Sequence, residues 1–259
     1  MPWIEANGIS FHYRLEGSSG PTVVLLHELG GTLESWDHVA PHLASRYRVF
    51  RYDQRGFGLS EKVRQPYGLD DLVDDLEGLV RELRLTAPLH IVCVAAATTQ
   101  ALTLMERDPS AIGSFVFCNP APGVDASRAE QLEKVAAQAE QEGMRSILST
   151  MLSRSYPPEL SDAQTYEDYR GRYLGNDPVG FALAFRVLAR SDKRPSLEKV
   201  SRPAMVVAGR QDNVRPVAVT EELAGKIPGA RFEAIDAGHM MPVTGPKALV
   251  DLLLDFLPR

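Results

Sequence analysis

Two side chains that could exchange protons follow apolar runs in the sequence. They are Asp212 after AMVVAG and His239 after RFEAI. An imidazole changes its charge near neutral pH, which suits it to general acid–base chemistry. A lone aspartate after a strand is more often a turn residue, and a lone histidine is more often structural. His239 therefore becomes a candidate general base only in combination with Asp212.

The remaining polar and sulfur-containing candidates favour structural roles. The other histidines away from these runs are His12, His38, His42 and His90. No group of His, Cys and Asp residues has the spacing of metal ligands, so we expect neither a metal ion nor a cofactor. Cys93 and Cys118 lie in apolar segments, where a thiol is usually buried and reduced. Reduced thiols predict a cytoplasmic protein.

The candidate residues must be positioned by strands and helices that alternate along the chain. Short β-branched runs predict strands that are buried on both faces, as in a parallel sheet. These runs cover residues 22–27, 47–53, 89–95, 112–120, 204–209 and 231–236, and an alternating segment at 9–15 predicts an antiparallel strand. Leu69 to Leu85 has apolar residues at helical spacing with acidic residues opposite. The pattern predicts an α/β fold, a mostly parallel sheet flanked by helices.

The alternation stops between Pro122 and about Pro195, where the composition becomes helical and polar. Asp177 followed by Pro178 is typical of a helix start, because aspartate caps a helix and proline fits its first turn. We therefore predict an inserted α-helical cap at residues 123–195. Residues 1–122 and 196–259 would then form the core.

Three local motifs occur in a fixed order around these strands. They are LLHELGGTLESWD (25–37), RYDQRGFGLSE (51–61) and the pair VVAGRQDNVRP with IDAGHMMP. Together they resemble the α/β-hydrolase family, and within it most closely the 3-oxoadipate enol-lactonase branch. The resemblance covers the whole chain outside the cap. It implies that Asp212 accepts a hydrogen bond from His239 and holds its tautomer, and that His239 is the general base.

The nucleophile of the resembled family is absent. Its G-x-S-x-G elbow aligns with residues 93–97, which places Ala95 at the serine position. Either the serine was replaced deliberately, or the natural protein lacks it. Both flanking glycines are also gone, to Cys93 and Ala97, and a deliberate change would have left them, so natural loss is favoured. Thr98, Thr99 and Cys93 are out of register as substitute nucleophiles.

The resemblance also implies an oxyanion hole formed by the backbone N–H groups of Leu29 and Ala96, two binding residues that lie beside Ala95. The family usually has a small residue after the strand-ending histidine, whereas this chain has Glu28. A carboxylate there would repel a developing negative charge, so Glu28 is a candidate proton carrier near the pocket mouth. The alternative is that Glu28 turns to solvent or makes a structural ion pair.

Composition narrows the partners. The chain has 259 residues, 34 acidic against 28 basic, and a net charge of −6 without a run of Lys and Arg, so no nucleic-acid partner is expected. No segment is apolar for long enough to cross a membrane, so no membrane is expected as a partner. The expected partner is a small-molecule substrate. A homodimer stays open.

These observations predict an enzyme that acts on a small cyclic or carbonyl-containing metabolite under the cap, with His239 and Asp212 but no serine. Water-mediated hydrolysis, lyase, isomerase and cofactor-free oxygenase reactions all fit. One alternative is a serine hydrolase of esters or enol-lactones that carries an engineered Ser-to-Ala change at position 95. The other is a non-catalytic ligand-binding member of the fold, although a receptor does not need to keep both Asp212 and His239.

Overall fold

The computed structural model of the chain describes residues 2–258, which form one eight-stranded sheet. The strands are β1 (Trp3–Ala6), β2 (Ile9–Glu16), β3 (Thr22–Leu26), β4 (Arg48–Tyr52), β5 (Leu89–Val94), β6 (Ile112–Cys118), β7 (Ala204–Gly209) and β8 (Arg231–Ile235). Their order is β1-β2-β4-β3-β5-β6-β7-β8. The two pairings of β2 are antiparallel, and every other pairing is parallel. The predicted fold class, a mostly parallel sheet flanked by helices, is confirmed.

Ten helices surround the sheet. They are α1 (Ala40–Leu43), α2 (Leu69–Glu82), α3 (Ala97–Arg107), α4 (Ala126–Glu142), α5 (Ser153–Ser155), α6 (Ala163–Leu174), α7 (Pro178–Arg190), α8 (Val217–Gly225), α9 (Met241–Thr244) and α10 (Pro246–Phe256) among the residues described. Shorter helical turns cover Leu33–Trp36, Pro109–Ala111, Met144–Ile147, Leu148–Leu152, Pro158–Leu160 and Arg194–Lys199. The apolar stripe of α2 packs on the sheet as predicted, through Val73, Leu76 and Leu79.

The central strands are apolar because both of their faces are covered. Every residue of β3, β5 and β7 is buried. One face packs against α2, α3 and α8, and the other against α1 and α10. The parallel register pairs Leu26 with Cys93 and Val94 with Cys118. The residues that follow these strands therefore lie along one edge of the sheet, where the candidate site residues occur.

Helices α4 to α7 lie between β6 and β7 and share an apolar cluster, which Phe57, Ala96, Met240 and Val243 join from the rest of the chain. The predicted start of α7 is confirmed, because the Asp177 carboxylate accepts a hydrogen bond from Gly180 N–H and Pro178 occupies the first turn. The same carboxylate pairs with Arg64 of the core. Among residues 2–258, no helix is long and apolar enough to cross a membrane.

Candidate active site

The turn between β5 and α3 keeps the sharp geometry of a nucleophile elbow, although it carries a methyl group. Ala95 has a φ of +49°, a left-handed conformation that costs an L-residue about 1–2 kcal/mol. Backbone hydrogen bonds hold it there. Ala95 N–H donates to Cys118 O over 3.0 Å, and Ala121 N–H donates to Ala95 O over 3.0 Å. The loops after β5 and β6 together therefore impose the strained turn.

His239 and Asp212 are in direct contact. His239 Nδ1 lies 2.7 Å from Asp212 Oδ2, and both side chains are buried. Asp212 Oδ1 accepts hydrogen bonds from the N–H groups of Val214 and Arg215, at 2.7 and 2.8 Å. Because the carboxylate only accepts, Nδ1 carries the proton of the pair and Nε2 holds a free electron pair. The contact predicted from the sequence is present.

Asn119, at the end of β6, fastens the two loops that carry this pair. Its amide nitrogen donates to the carbonyl oxygens of Gly238 and His239, at 3.0 and 3.2 Å. Its side-chain oxygen accepts from Gly209 N–H over 2.8 Å. One buried side chain thus connects the β7 loop, which leads to Asp212, with the β8 loop, which leads to His239. The sequence analysis missed this positioning residue, since asparagine after a strand gives no signal beyond a turn.

A cavity of about 320 Å³ adjoins the pair beneath the inserted helices. The cavity is lined by five of the six predicted site residues, namely His239, Glu28, Leu29, Ala95 and Ala96. The sixth, Asp212, does not line the cavity but contacts His239. Its apolar lining includes Leu132, Met151, Phe185 and Leu188 from the inserted helices. This size lies at the lower end of the range for small-molecule sites.

The predicted oxyanion-hole residues border the cavity beside Ala95. Within residues 2–258, neither Leu29 N–H nor Ala96 N–H has a hydrogen-bond acceptor. The loop that presents Leu29 is held by His27, whose Nδ1 donates to Glu28 O over 2.8 Å and whose Nε2 accepts from Gln54 N–H over 3.0 Å. His27 is therefore a neutral structural residue.

Glu28 does not turn outward, and that alternative is wrong. It is 1% exposed and lies deeper than the pocket mouth where we expected it. Its Oε1 accepts hydrogen bonds from the hydroxyls of Ser35, over 2.8 Å, and Tyr169, over 2.7 Å. Its Oε2 has no partner among the described residues. A Cβ at Gly31 would lie 2.1 Å from Oε1, so glycine at that position makes room for the carboxylate.

Tyr169 comes from α6, so Glu28 joins the loop after β3 to the inserted helices. Burial, together with the negative charge of Glu28, raises the pKa of Tyr169 well above its ordinary value. The tyrosine therefore stays a hydrogen-bond donor at any physiological pH. Neither Ser35 nor Tyr169 was predicted from the sequence. The contact of Tyr169 spans 141 residues and leaves no local pattern.

The hydroxyl and thiol groups near the elbow are engaged in hydrogen bonds of their own. Burial raises the pKa of Cys93 to about 12, and its thiol donates to Thr98. Thr99 Oγ1 donates to Ala96 O. The two aliphatic hydroxyls that line the cavity among the described residues, Thr150 and Ser155, donate to the backbone carbonyls of Ile147 and Met151. Residues 2–258 contain no group of three His, Cys, Asp or Glu side chains that could hold a metal ion.

The RGFG segment (residues 55–58) and the residues next to it make structural contacts. Arg55 makes a buried ion pair with Asp75 on α2. Asp53 accepts hydrogen bonds from His12 and from the N–H groups of Leu33 and Leu59. These contacts fix the loop after β4 beneath the Glu28 loop.

The fold and the arrangement of the site are shared with known proteins. The family model described as the alpha/beta hydrolase fold matches residues 21–246. The chain belongs to the α/β-hydrolase fold family. The crystal structure of the enol-lactonase from Burkholderia xenovorans LB400 superposes on this member with a TM-score of 0.92. The two are 28% identical, and the match covers 98% of this chain and 99% of the other.

Two further relatives are also similar to this chain over nearly its whole length. The 3-oxoadipate enol-lactonase 2 of Acinetobacter baylyi (strain ATCC 33305 / BD413 / ADP1) is 26% identical over 249 residues, 95% of this chain and 92% of the relative. A thermophilic esterase from Thermogutta terrifontis has a TM-score of 0.92 at 25% identity, over 98% of this chain and 97% of that one. The predicted likeness to enol-lactonases is confirmed.

Proposed function

We propose that this α/β-hydrolase-fold protein is an enzyme that uses His239, oriented by Asp212, to move a proton on a small carbonyl-containing substrate without a serine nucleophile. One observation carries the proposal. The His239–Asp212 hydrogen bond of 2.7 Å is intact beside a cavity in which the nucleophile position, Ala95, holds a methyl group. A protein that only binds a ligand has no need for such a pair.

The proposed first step places the free electron pair of His239 Nε2 against a proton of the substrate or of a water molecule. Removing a proton from the carbon beside a carbonyl leads to lyase, isomerase or oxygenase chemistry. Removing it from water leads to hydrolysis. In each case negative charge develops on the carbonyl oxygen, and donors fixed in advance, here Leu29 N–H and Ala96 N–H, stabilise it.

Glu28 is the second acid–base group of the proposal. Its Oε1 is held by Ser35 and Tyr169, whereas its Oε2 is buried without a partner and belongs to a residue that lines the cavity. A buried oxygen without a partner is costly. A substrate or water proton at Oε2 would satisfy it, so Glu28 would exchange a proton with the group that His239 acts on.

A second candidate function is serine hydrolysis, with Ala95 standing in place of a serine. The retained φ of +49° at Ala95 favours it, because this is the geometry that exposes a nucleophile at an elbow. The relatives named above as an enol-lactonase and an esterase agree with it. The buried carboxylate of Glu28 beside the oxyanion amides argues against it.

The proposal is tested by following a panel of lactones, esters and keto acids by NMR in D₂O. Proton abstraction appears as deuterium at the carbon beside the carbonyl, and hydrolysis appears as ring opening or ester loss. We expect conversion by the unmodified chain and a loss of about 10²-fold or more in His239→Ala. His42→Ala, an exposed histidine, is the matched control. Equal conversion by all three proteins, or binding without conversion, would refute the proposal.

A further inference from the structure

Three arginines from separate segments line the cavity. Arg128 belongs to α4, Arg154 to α5 and Arg215 to the loop after β7. Residues that come from three segments converge on one cavity only through the tertiary fold. None of the three makes an ion pair with a carboxylate in residues 2–258. By contrast, Arg55, Arg107 and Arg186 all do.

Arg215 lies nearest to the chemistry. Its backbone N–H donates to Asp212 Oδ1, while Asp212 Oδ2 holds His239. Its guanidinium Nε is buried and has no hydrogen-bond partner among the described residues. A buried donor of a charged group without an acceptor is unfavourable, and an anion in the cavity would satisfy it.

The three guanidinium groups also repel one another. Burial lowers the pKa of Arg128, and the charge of Arg154 lowers it further. Burial lowers the pKa of Arg215 as well; Asp212 opposes this effect and Arg128 adds to it. A bound anion would offset both the burial and the repulsion. The unpaired Arg215 donor and the charges of the three arginines therefore both favour a bound anion.

The other charges of the cavity offset those of the arginines only in part, although Asp125 raises the pKa of Arg128 against the effects of burial and Arg154. Glu28 Oε1 accepts hydrogen bonds from Ser35 and Tyr169. Asp125 caps α4, where its Oδ1 accepts from Arg128 N–H over 2.7 Å. Three guanidinium groups thus share the cavity with two carboxylates, which leaves an excess of positive charge.

We infer that Arg128, Arg154 and Arg215 form a subsite for an oxyanion, so that the substrate of the proposed reaction is an organic molecule with a carboxylate or phosphate group. That the bound molecule is a substrate rests on the proposed function, whereas the anion-binding site itself does not. An anion on Arg215 would place the rest of the molecule against the apolar lining and next to His239. The planar guanidinium fork matches such oxyanions in two-pronged hydrogen bonds.

Calorimetric titration tests the subsite with three probes that each carry one phenyl ring. Benzoate carries a carboxylate, phenyl phosphate carries a phosphate, and benzamide is the neutral match of benzoate. We expect an anion to bind at least about tenfold more tightly than benzamide, and Arg215→Gln or Arg128→Gln to weaken it by about tenfold or more. Arg210→Gln is the control, since Arg210 is exposed on the same loop and pairs with Asp236.

Preference for benzoate identifies a carboxylate as the recognised group, and preference for phenyl phosphate identifies a phosphate. Equal binding of benzoate and benzamide with no binding of phenyl phosphate, no binding of either anion, or equal weakening by Arg210→Gln would overturn the inference. Because binding is measured without turnover, it is repeated on His239→Ala. Anion binding that persists while no compound is ever converted refutes only the proposed function. Conversion of neutral substrates by His239 without anion binding refutes only the subsite.

Discussion

Each residue of the site is defined by the partner that fixes it. Asp212 accepts three hydrogen bonds, of which one comes from His239 Nδ1 and two come from its own loop, so the imidazole is held in one orientation. The sequence predicted this pair only through its resemblance to the α/β-hydrolase family, in which an aspartate and a histidine follow two successive strands. It was insufficient for Glu28, whose hydroxyl partners Ser35 and Tyr169 come from other elements.

Replacing Glu28 with glutamine tests its proposed role. The amide oxygen can still accept the hydroxyls of Ser35 and Tyr169, so the fold and ligand binding should persist. The amide cannot exchange a proton, so turnover should fall by about 10²-fold, the usual scale of a general acid–base group. Turnover and ligand affinity are measured together. Unchanged turnover would leave His239 and Asp212 as the only proton-transfer pair.

Gly31→Ala should displace the Glu28 carboxylate without altering its chemistry. The new methyl group would meet Oε1 at 2.1 Å and Ser35 Oγ at 2.8 Å. We expect a loss of about 1–3 kcal/mol in the free energy of unfolding, as for other overpacked sites, and turnover as low as that of Glu28→Gln. Gly171→Ala is the control, because nothing lies near its added methyl group. Wild-type turnover in Gly31→Ala would show that the position of the carboxylate is unimportant.

At the scale of elements, the site lies where parallel strands end at one edge of the sheet. The apolar runs predicted β3 to β8, and the order of motifs predicted which loops meet. The alignment with the G-x-S-x-G elbow also placed Ala95 at the turn that the structure shows to be strained. The role of Asn119 was not, since only the tertiary fold shows that one side chain can join the loops after β7 and β8.

Asn119→Ala should loosen both loops. It removes three buried hydrogen bonds and leaves Gly209 N–H without an acceptor. We expect the free energy of unfolding to fall by about 2–4 kcal/mol in urea titrations. Asn213→Ala, an exposed asparagine on the Asp212 loop, should change it by less than about 0.5 kcal/mol. Equal stability of the two variants would show that the Asn119 bonds do not hold the loops.

At the scale of the whole molecule, a buried network joins the antiparallel edge of the sheet to the site. Burial opposes ionisation of Asp53, but hydrogen bonds from His12, Leu33 and Leu59 outweigh it and lower the pKa of Asp53. The network thus connects β2 with the loops that follow β3 and β4. Its residues are far apart in sequence, so no local pattern predicts it.

This lowered pKa has a definite effect on stability. Because the folded-state pKa of Asp53 is below its unfolded value of about 4, its ionised form stabilises the fold above that pH. The contribution is lost as the pH falls through the folded-state pKa. The unmodified chain should therefore lose more stability between pH 5 and pH 2 than Asp53→Asn, by urea unfolding. Asp236→Asn, an exposed carboxylate, should follow the unmodified chain. Parallel curves for Asp53→Asn and the unmodified chain would contradict this.

The whole-molecule predictions differ in how far physical patterns determine them. The sheet and the inserted helices could be predicted from the periodicity of apolar residues along the chain. The residues of the inserted helices pack on one another. The division at 123 and 195 stays a prediction, as do the cytoplasmic location and the oligomeric state. These depend on cooperativity, compartment and surface association, which the packing of one chain does not determine.

The central claim, proton transfer without a serine nucleophile, is tested most directly by restoring the serine. Turnover of the panel of lactones, esters and keto acids is measured for the unmodified chain, His239→Ala and Ala95→Ser, with labelling by a serine-directed phosphonate. The account predicts turnover by the unmodified chain, a loss of about 10²-fold or more in His239→Ala, and no gain in Ala95→Ser. An inactive unmodified chain, together with burst hydrolysis and phosphonate labelling of Ala95→Ser, would contradict it.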